Sequence, residues 1–88
     1  MYRLPIVKLL TRPGCTLCDQ AKFMLQRVKE VQPFEGKVVN ILRADEYLHF
    51  NDELPVILVE EEVICRTRVD ESAVREAVAK AYKKINNL

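Results

Sequence analysis

The apolar pattern of the chain predicts an α/β fold with the element order β-α-β-(α)-β-β-α. Two segments repeat apolar residues at helical spacing, and four short runs rich in Val, Ile and Leu precede or separate them. The chain has 88 residues, of which 49% are hydrophobic and 31% are charged. This length and composition predict one globular domain over residues 1–88.

The first half of the chain has the pattern of a β-α-β unit. Residues 4–10 are a short apolar run that ends at the turn-like sequence TRPG, and residues 37–42 form a second β-branched run after Gly36. Between them, apolar residues from Leu17 to Val31 recur every three or four positions. We therefore expect two strands joined by an amphipathic helix.

The second half begins with a loop and a β-hairpin. Residues 44–54 are mostly polar, which predicts a loop containing a short helix. Pro55 precedes residues 56–59 (VILV), and proline is tolerated at the first residue of a strand. Residues 60–62 (EEE) predict a solvated turn before a strand over residues 63–67. Two strands joined so tightly are expected to be antiparallel.

The last element is the clearest helix in the chain. Apolar residues recur from Val74 to Ile85 at helical spacing. Asp70 is a suitable N-cap, and Lys83 and Lys84 suit the carboxyl end of the helix dipole.

The charge and the cysteines exclude several classes of protein. The formal net charge is +1, which argues against nucleic-acid and membrane partners, although residues 1–43 carry a net +5 and residues 44–88 a net −4. No apolar run approaches the roughly 20 residues that span a bilayer, and the first residues do not resemble a signal peptide. Three cysteines, an odd number, argue against an extracellular disulfide framework. We expect a cytoplasmic monomer.

Cys15 and Cys18 form a C-x-x-C motif between the first strand and the first helix. Residues i and i+3 at the start of a helix share a face, so their sulfurs can close a disulfide across the first turn. When the disulfide opens, the free N–H groups and the positive end of the helix stabilise a thiolate, and a thiol pKa of about 8.5 can fall to roughly 3.5–7.5. The hypothesis is that Cys15 attacks and the less accessible Cys18 resolves the mixed disulfide.

Charged side chains surround this motif. Three basic residues are expected to add positive potential near Cys15: Lys8, Arg12 and Lys22. Asp19 opposes them, because a carboxylate raises the pKa of a nearby thiol. With Thr16 three residues earlier, Asp19 also resembles a capping box.

Two stretches carry a resemblance to a known family. Residues 11–22 (TRPGCTLCDQAK), together with residues 53–56 (ELPV) before a hairpin and a terminal helix, resemble the glutaredoxin branch of the thioredoxin superfamily. More narrowly, the chain is similar to the small glutaredoxin-like proteins that share the T-R-P-G-C-x-L-C opening. The resemblance spans nearly the whole chain.

The resemblance implies a thioredoxin-like fold of the glutaredoxin type, with a four-stranded mixed sheet flanked by helices. It implies a thiol–disulfide oxidoreductase that reduces protein or low-molecular-weight disulfides, with Cys15 as the nucleophile and Cys18 as the resolving thiol. It also implies a cis bond between Leu54 and Pro55, with the backbone of Leu54 offered to a bound thiol peptide.

The remaining implied features concern partners. The expected partner is a disulfide-containing protein or a thiol peptide, with glutathione or a thioredoxin-type reductase as reductant and no tightly bound cofactor. Arg12 and Asp70 complete the expected substrate-binding residues, with Arg66 or Arg68 attracting the carboxylates of glutathione. Glutaredoxins that use glutathione carry a Gly-Gly pair before the last helix, whereas residues 65–70 (CRTRVD) contain no glycine. This departure argues against glutathione as the physiological reductant.

Two other functions remain open. A metal or iron–sulfur site would need Cys15, Cys18, His49 and Cys65, but the second pair lacks close ligand spacing, so we predict no metal site. Cys65 fits better as a small apolar side chain in a strand, and His49 as a solvent-exposed residue. The other alternative is a non-catalytic interaction module that keeps the fold and binds a partner beside Pro55.

The aromatic residues favour packing over recognition. Phe23, Tyr47 and Phe50 occur at spacings that usually place aromatic side chains in a core.

Overall fold

The structure, a computed structural model, describes residues 2–88. The predicted element order is confirmed. The strands and helices are β1 (Ile6–Thr11), α1 (Thr16–Val31), β2 (Glu35–Asn40), β3 (Val56–Val59), β4 (Glu62–Arg66) and α2 (Glu71–Ile85). Two 3₁₀ segments, Ile41–Arg43 and Asp45–Phe50, lie between β2 and β3.

β2 lies two residues earlier than the sequence predicts. The side chain of Asn40 accepts a hydrogen bond from the Leu42 N–H at 3.0 Å and so caps the first 3₁₀ segment. This cap turns the chain away from the sheet, and the β-branched run at residues 37–42 is therefore divided between β2 and the 3₁₀ segment.

The four strands form a mixed sheet in the order β2-β1-β3-β4. β1 is parallel to β2, as the β-α-β connection requires, and antiparallel to β3. β3 and β4 are antiparallel, which confirms the predicted hairpin.

Side chains alternate between the two faces of the sheet. Val7 and Leu9 of β1 pack against α1 and α2, in a cluster that also contains Ile57 of β3. Leu10 points to the other face, which is covered by the 3₁₀ segments through Ile41 and Phe50. We call these the helical face and the 3₁₀ face.

The turn between β3 and β4 is exposed to solvent, as its three glutamates predict, and it is also bonded to β1. Glu60 and Glu61 adopt left-handed backbone conformations, with φ of 50° and 68°, as a two-residue hairpin turn requires. Glu60 Oε2 accepts a hydrogen bond from the Ile6 N–H at 2.8 Å, and Glu61 pairs with Lys8. Both carboxylates therefore fasten the turn to β1.

Both long helices begin at side-chain caps. Asp70 Oδ1 accepts a hydrogen bond from the Ala73 N–H at 3.1 Å, which confirms Asp70 as the N-cap of α2. Within residues 2–88, neither helix combines the length and the apolar character that crossing a membrane would require.

Candidate active site

Cys15 and Cys18 are joined by a disulfide at the start of α1. Cys15 lies just before the helix and is half-buried, whereas Cys18 is in the first turn with 0% of its surface exposed. The Sγ atom of Cys18 lies 4.0 Å from the carbonyl oxygen of Leu10, at the carboxyl end of β1. One sulfur of the pair is thus accessible, while the other is enclosed between the helix and the sheet.

Cys15 is also the N-cap of α1. Its Sγ accepts a hydrogen bond from the Cys18 N–H at 3.2 Å. The predicted capping box of Thr16 and Asp19 is therefore wrong, because Thr16 is already the first helical residue. Asp19 instead pairs with Lys22 one turn further on, at 3.7 Å.

The peptide bond between Leu54 and Pro55 is cis. Pro55 is buried, and its carbonyl oxygen accepts a hydrogen bond from the Thr67 N–H at 2.9 Å. The same N–H lies 2.8 Å from the carbonyl oxygen of Glu53. The segment that follows β4 therefore holds both sides of Leu54 in place.

A groove of about 600 Å³ runs beside Pro55, between α1 and the start of α2. We call it the Pro55 groove. Leu17 and Met24 line its apolar side, and Thr67 and Arg68 line the opposite side. An extended peptide beside Pro55 would contact both sides of this groove.

Thr67 adopts a left-handed backbone conformation with φ of 63°. Glycine would enter this conformation freely, whereas a β-branched residue is unfavourable there. The absence of a glycine pair therefore leaves the left-handed turn in place and adds a side chain to the groove.

The basic residues near this groove have different environments. Arg66 lies 3.4 Å from the Glu53 carboxylate and sits over the ring of Phe50, so it is engaged on the 3₁₀ face. Arg68 lines the Pro55 groove. Arg27 also lines it and pairs with Glu71 at 2.9 Å.

Lys8 was predicted to add positive potential near Cys15, but its amino group lies on the 3₁₀ face. Its amino group contacts the Glu61 carboxylate and the Tyr47 hydroxyl, the latter at 2.9 Å, on the 3₁₀ face. Hydrogen bonds to Glu61 and Tyr47 raise the pKa of Lys8 above its usual value, and the Lys8 contact holds the pKa of Glu61 below its usual value. The charge of Lys8 is thus balanced by its own neighbours.

Arg12 and Lys22 do lie beside Cys15. Both line a small hollow with Cys15, Asp19 and Asn40, on the side of α1 that faces away from Pro55. Arg12 Nη1 donates a hydrogen bond to Asn51 Oδ1 at 2.7 Å, which holds the loop after β1 against the end of the second 3₁₀ segment.

The sequence did not predict Asn40, Asn51 or Thr67 as parts of the site. Asn40 had a local signal, since asparagine is a frequent N-cap residue and Asn40 caps the first 3₁₀ segment. Asn51 meets Arg12 across 39 residues of chain, and Thr67 meets Pro55 across a β-hairpin. Neither of these contacts has a local signature.

The candidates for a metal site do not come together. Within the part of the chain that the structure describes, no group of three or more His, Cys, Asp or Glu residues could hold a metal ion. Cys65 is a buried residue of β4, as predicted, and His49 is exposed and packs on Phe50.

The predicted packing role is correct for two of the three aromatic residues. Phe50 is buried and Tyr47 packs against the cluster of the 3₁₀ face. Phe23 is 64% exposed on the outer side of α1, so its assignment to the core is wrong.

Comparison with solved structures shows which fold this is. Protein Ne2328 from Nitrosomonas europaea, solved by NMR, superposes with a TM-score of 0.76 at 22% identity, over 89% of this chain and 95% of that chain. Thioredoxin 1 from Thermosipho africanus superposes with a TM-score of 0.61 at 17% identity, over 94% of this chain and 99% of that chain. The fold is therefore thioredoxin-like, as the resemblance implied.

The family follows from a match to a family model. None of the curated proteins matches the chain. Residues 6–79 match the model of the glutaredoxin-like domain (DUF836), which covers both cysteines and the cis proline. With the Cys15–Cys18 disulfide, this match supports a redox function in thiol–disulfide chemistry. The chain belongs to the family of glutaredoxin-like domains.

Proposed function

We propose that the protein is a dithiol oxidoreductase in which Cys15 is the nucleophile and Cys18 is the resolving thiol. The observation that carries the proposal is the unequal exposure of two cysteines that are close enough to form a disulfide: Cys15 is half-buried and Cys18 is fully buried. Only an accessible sulfur can reach a bulky substrate disulfide. Only a neighbouring sulfur can then attack the mixed disulfide and displace the bound substrate thiolate.

In the reduced protein, the start of α1 supports a thiolate at Cys15. The Cys18 N–H already points at the Cys15 sulfur, at 3.2 Å, and the positive end of the helix dipole adds to its effect. Arg12 and Lys22 line the same hollow and contribute positive charge. Asp19 lies there too and weakens that contribution, although it is itself paired with Lys22.

The exchange proceeds in two displacements. The Cys15 thiolate attacks one sulfur of the substrate disulfide, which forms a mixed disulfide and releases the first substrate thiolate. The Cys18 thiolate then attacks the Cys15 sulfur, which closes the Cys15–Cys18 disulfide and releases the second thiolate. The substrate gains two electrons and the protein loses two, so an external thiol must restore the dithiol.

The substrate side of the proposal is the Pro55 groove. A disulfide-bearing protein segment or thiol peptide lies extended beside Pro55 and bonds to the backbone of Leu54. The long-range hydrogen bonds of Thr67 support this role by holding residues 53–55 in place. Arg68 lines the groove and is available to a charged peptide terminus. Asp70 lies in sequence between two lining residues, Val69 and Glu71, and its carboxylate caps α2.

Trapping of the mixed disulfide tests the proposal. In Cys18→Ser, carrying Cys65→Ser to remove the third thiol, Cys15 is expected to form a stable adduct with a small disulfide such as 2-hydroxyethyl disulfide. Mass spectrometry should show one added thiol at Cys15. The matched Cys15→Ser variant should form no adduct at Cys18, because Cys18 is enclosed. An adduct at Cys18 would reverse the assigned roles, and no adduct in either variant would remove the oxidoreductase function.

Glutathione is a separate question within this proposal. The side chain of Thr67 occupies the turn where glutathione-dependent relatives carry glycine, so we expect glutathione to reduce the Cys15–Cys18 disulfide slowly compared with dithiothreitol. Thr67→Gly should increase the rate with glutathione but not with dithiothreitol. An equal increase for both reductants would show that the side chain does not obstruct glutathione.

A further inference from the structure

We infer that the side of α1 that faces β2 is a second docking surface, which leads to Cys15 and takes an acidic protein segment. The inference rests on the proposed function, since it concerns the protein that exchanges electrons with the Cys15–Cys18 pair. It assigns that partner to the side of Cys15 opposite the Pro55 groove.

Two adjoining hollows form this surface, and Lys22 belongs to both. The first contains Cys15 and Arg12. The second extends from Lys22 along α1 and β2 and is lined by Lys29 and Lys37. We call the two together the α1–β2 groove.

The charge of the α1–β2 groove is strongly one-sided. The residues that line its two hollows include four cations, Arg12, Lys22, Lys29 and Lys37, and one anion, Asp19. The whole chain has a net charge of only +1. The groove therefore concentrates positive potential along a path that ends at Cys15, which favours an acidic partner.

The floor of the groove favours a protein segment over a nucleic acid. Phe34 and Leu25 form part of an apolar floor, and Val38 of β2 is 58% exposed beside them. The Lys29 amino group sits 5.8 Å from the centre of the Phe34 ring, so this cation stays at the groove. A segment that combines acidic and apolar side chains would satisfy both the rim and the floor.

The backbone of β2 offers a further contact. β2 is an edge strand: β1 pairs with one of its edges, and among residues 2–88 no strand pairs with the other. Unpaired N–H and C=O groups along such an edge can bind an extended segment. The partner would thus lie along β2 with its reactive cysteine near Cys15.

The electron transfer then runs in the direction that restores the dithiol. A thiolate of a dithiol partner attacks the Cys15 sulfur of the Cys15–Cys18 disulfide, which forms a mixed disulfide and releases the Cys18 thiolate. The second thiolate of the partner then attacks the partner sulfur that is bonded to Cys15. This closes a disulfide within the partner and releases the Cys15 thiolate. The chain gains two electrons, and the partner is left with a disulfide.

Two synthetic dithiol peptides test the inference with the full-length oxidised protein. They carry the same C-x-x-C motif and apolar residues, one flanked by glutamates and one by lysines, and each rate is divided by the rate with dithiothreitol. The quantity to compare is the rate with the glutamate peptide divided by the rate with the lysine peptide. This ratio is expected to be roughly tenfold larger at low than at high ionic strength.

Charge reversal locates the effect. The double variant Lys29→Glu, Lys37→Glu is expected to lose the preference for the glutamate peptide. The control Lys80→Glu, Lys84→Glu changes the net charge equally, at exposed positions of α2, and should keep the preference. Because both peptides are used with every variant, differences in their own thiol reactivity cancel. Circular dichroism checks folding, and the salt dependence of the unmodified protein tests the inference without any substitution.

Three results would overturn the inference. These are no salt-dependent preference in the unmodified protein, equal loss in both double variants, or stronger competition by a short single-stranded oligonucleotide than by a glutamate peptide without cysteines. If dithiothreitol and the peptides all fail to open and re-form the Cys15–Cys18 disulfide reversibly, the proposed function itself fails. Reversible reduction without charge preference removes only the docking surface.

Discussion

The two faces of the sheet are covered in different ways. The helical face lies under α1 and α2, and its cluster of buried residues is entirely apolar, including Cys65. The 3₁₀ face lies under two short segments, and its smaller apolar cluster is bordered by Lys8, Tyr47 and Glu61. One face is held by apolar burial along whole helices, and the other combines a small cluster with polar contacts between distant residues.

This difference matters because both faces support the candidate site. Cys18 is a buried residue of α1, the helix that covers the helical face. Leu54 packs against the cluster of the 3₁₀ face. Cys18 and the segment around Leu54 thus depend on separate sets of interactions, which substitutions can weaken one at a time.

The largest expected losses of stability come from two substitutions that each affect one cluster. Leu9 and Leu10 are neighbours in β1, both are at most 1% exposed, and they point to opposite faces. Leu9→Ala should lower the free energy of unfolding by about 4 kcal/mol, and Leu10→Ala by about 2–3 kcal/mol, because short segments collapse into a cavity more readily than long helices. Urea denaturation measures both values. Equal losses would show that the 3₁₀ cover is as rigid as the helices.

A smaller effect is expected from the polar border of the 3₁₀ face. Tyr47→Phe removes the hydroxyl that contacts Lys8 and Glu61, at 2.9 Å and 2.8 Å, and should cost about 1 kcal/mol of stability. Tyr82→Phe on α2 is the matched control and should cost less than about 0.5 kcal/mol. A cost for Tyr47→Phe no larger than for its control would mean that the polar border adds nothing to stability.

The charge of Glu61 should give the same border a pH dependence. Lys8 holds the pKa of Glu61 below its usual value, so the stabilisation is present above the unfolded pKa of about 4.3 and is lost as the pH falls through the lower folded value. The Glu61 side chain is 58% exposed, so Glu61→Gln should cost less than about 1 kcal/mol near pH 7. The difference between the two proteins should shrink in acid.

At high pH, loss of the charge of Lys8 ends the stabilisation by its contact with Glu61. The raised pKa of Lys8 means that its contribution persists through neutral pH and is lost only in strong alkali, above its unfolded value of about 10.4. Denaturation of Glu61→Gln and of Glu46→Gln, an exposed carboxylate on the second 3₁₀ segment, provides the comparison. A difference that grows below pH 4 for Glu61→Gln would contradict the assigned ion pair.

The smallest effect is expected outside both clusters. Phe23 lies on the outer side of α1, so Phe23→Ser should change the free energy of unfolding by less than about 0.5 kcal/mol. Phe50→Ser, in the cluster of the 3₁₀ face, is the contrasting variant and should be clearly destabilising. A large loss for Phe23→Ser would place this side chain in a contact that the fold does not show.

The helical face was predictable in detail from the sequence, whereas for the 3₁₀ face the sequence predicted only a short helix packed over the sheet with Tyr47 and Phe50 as packing residues. The stripes of α1 and α2 repeat every three or four residues, so their positions follow from local periodicity. Residues 44–54 have no such period, and the cover they provide depends on the Lys8 contacts with Tyr47 and Glu61, which join distant parts of the chain. The same distance explains why Lys8 was wrongly assigned to the cysteines.

At the candidate site, the cysteine pair was predictable from a local motif and the contacts that support it were not. The C-x-x-C spacing predicts the disulfide that the structure has, whereas the cis bond before Pro55 was expected only from the family resemblance. The left-handed turn at Thr67 and the Arg12 contact with Asn51 depend on the hairpin and on the 3₁₀ segments. The prediction of a capping box was wrong because the N-cap of α1 is the sulfur of Cys15 and not the hydroxyl of Thr16.

That cap makes the first turn of α1 sensitive to the electronic state of one sulfur atom. A disulfide sulfur is a weak acceptor for the Cys18 N–H, whereas a thiolate accepts the same hydrogen bond with a full negative charge. By linkage, whatever the helix contributes to stabilising the thiolate, the thiolate returns to the helix. The amide proton of Cys18 should therefore exchange with solvent more slowly when Cys15 is an ionised thiol than when it is oxidised, so this single backbone group records the redox state of the protein.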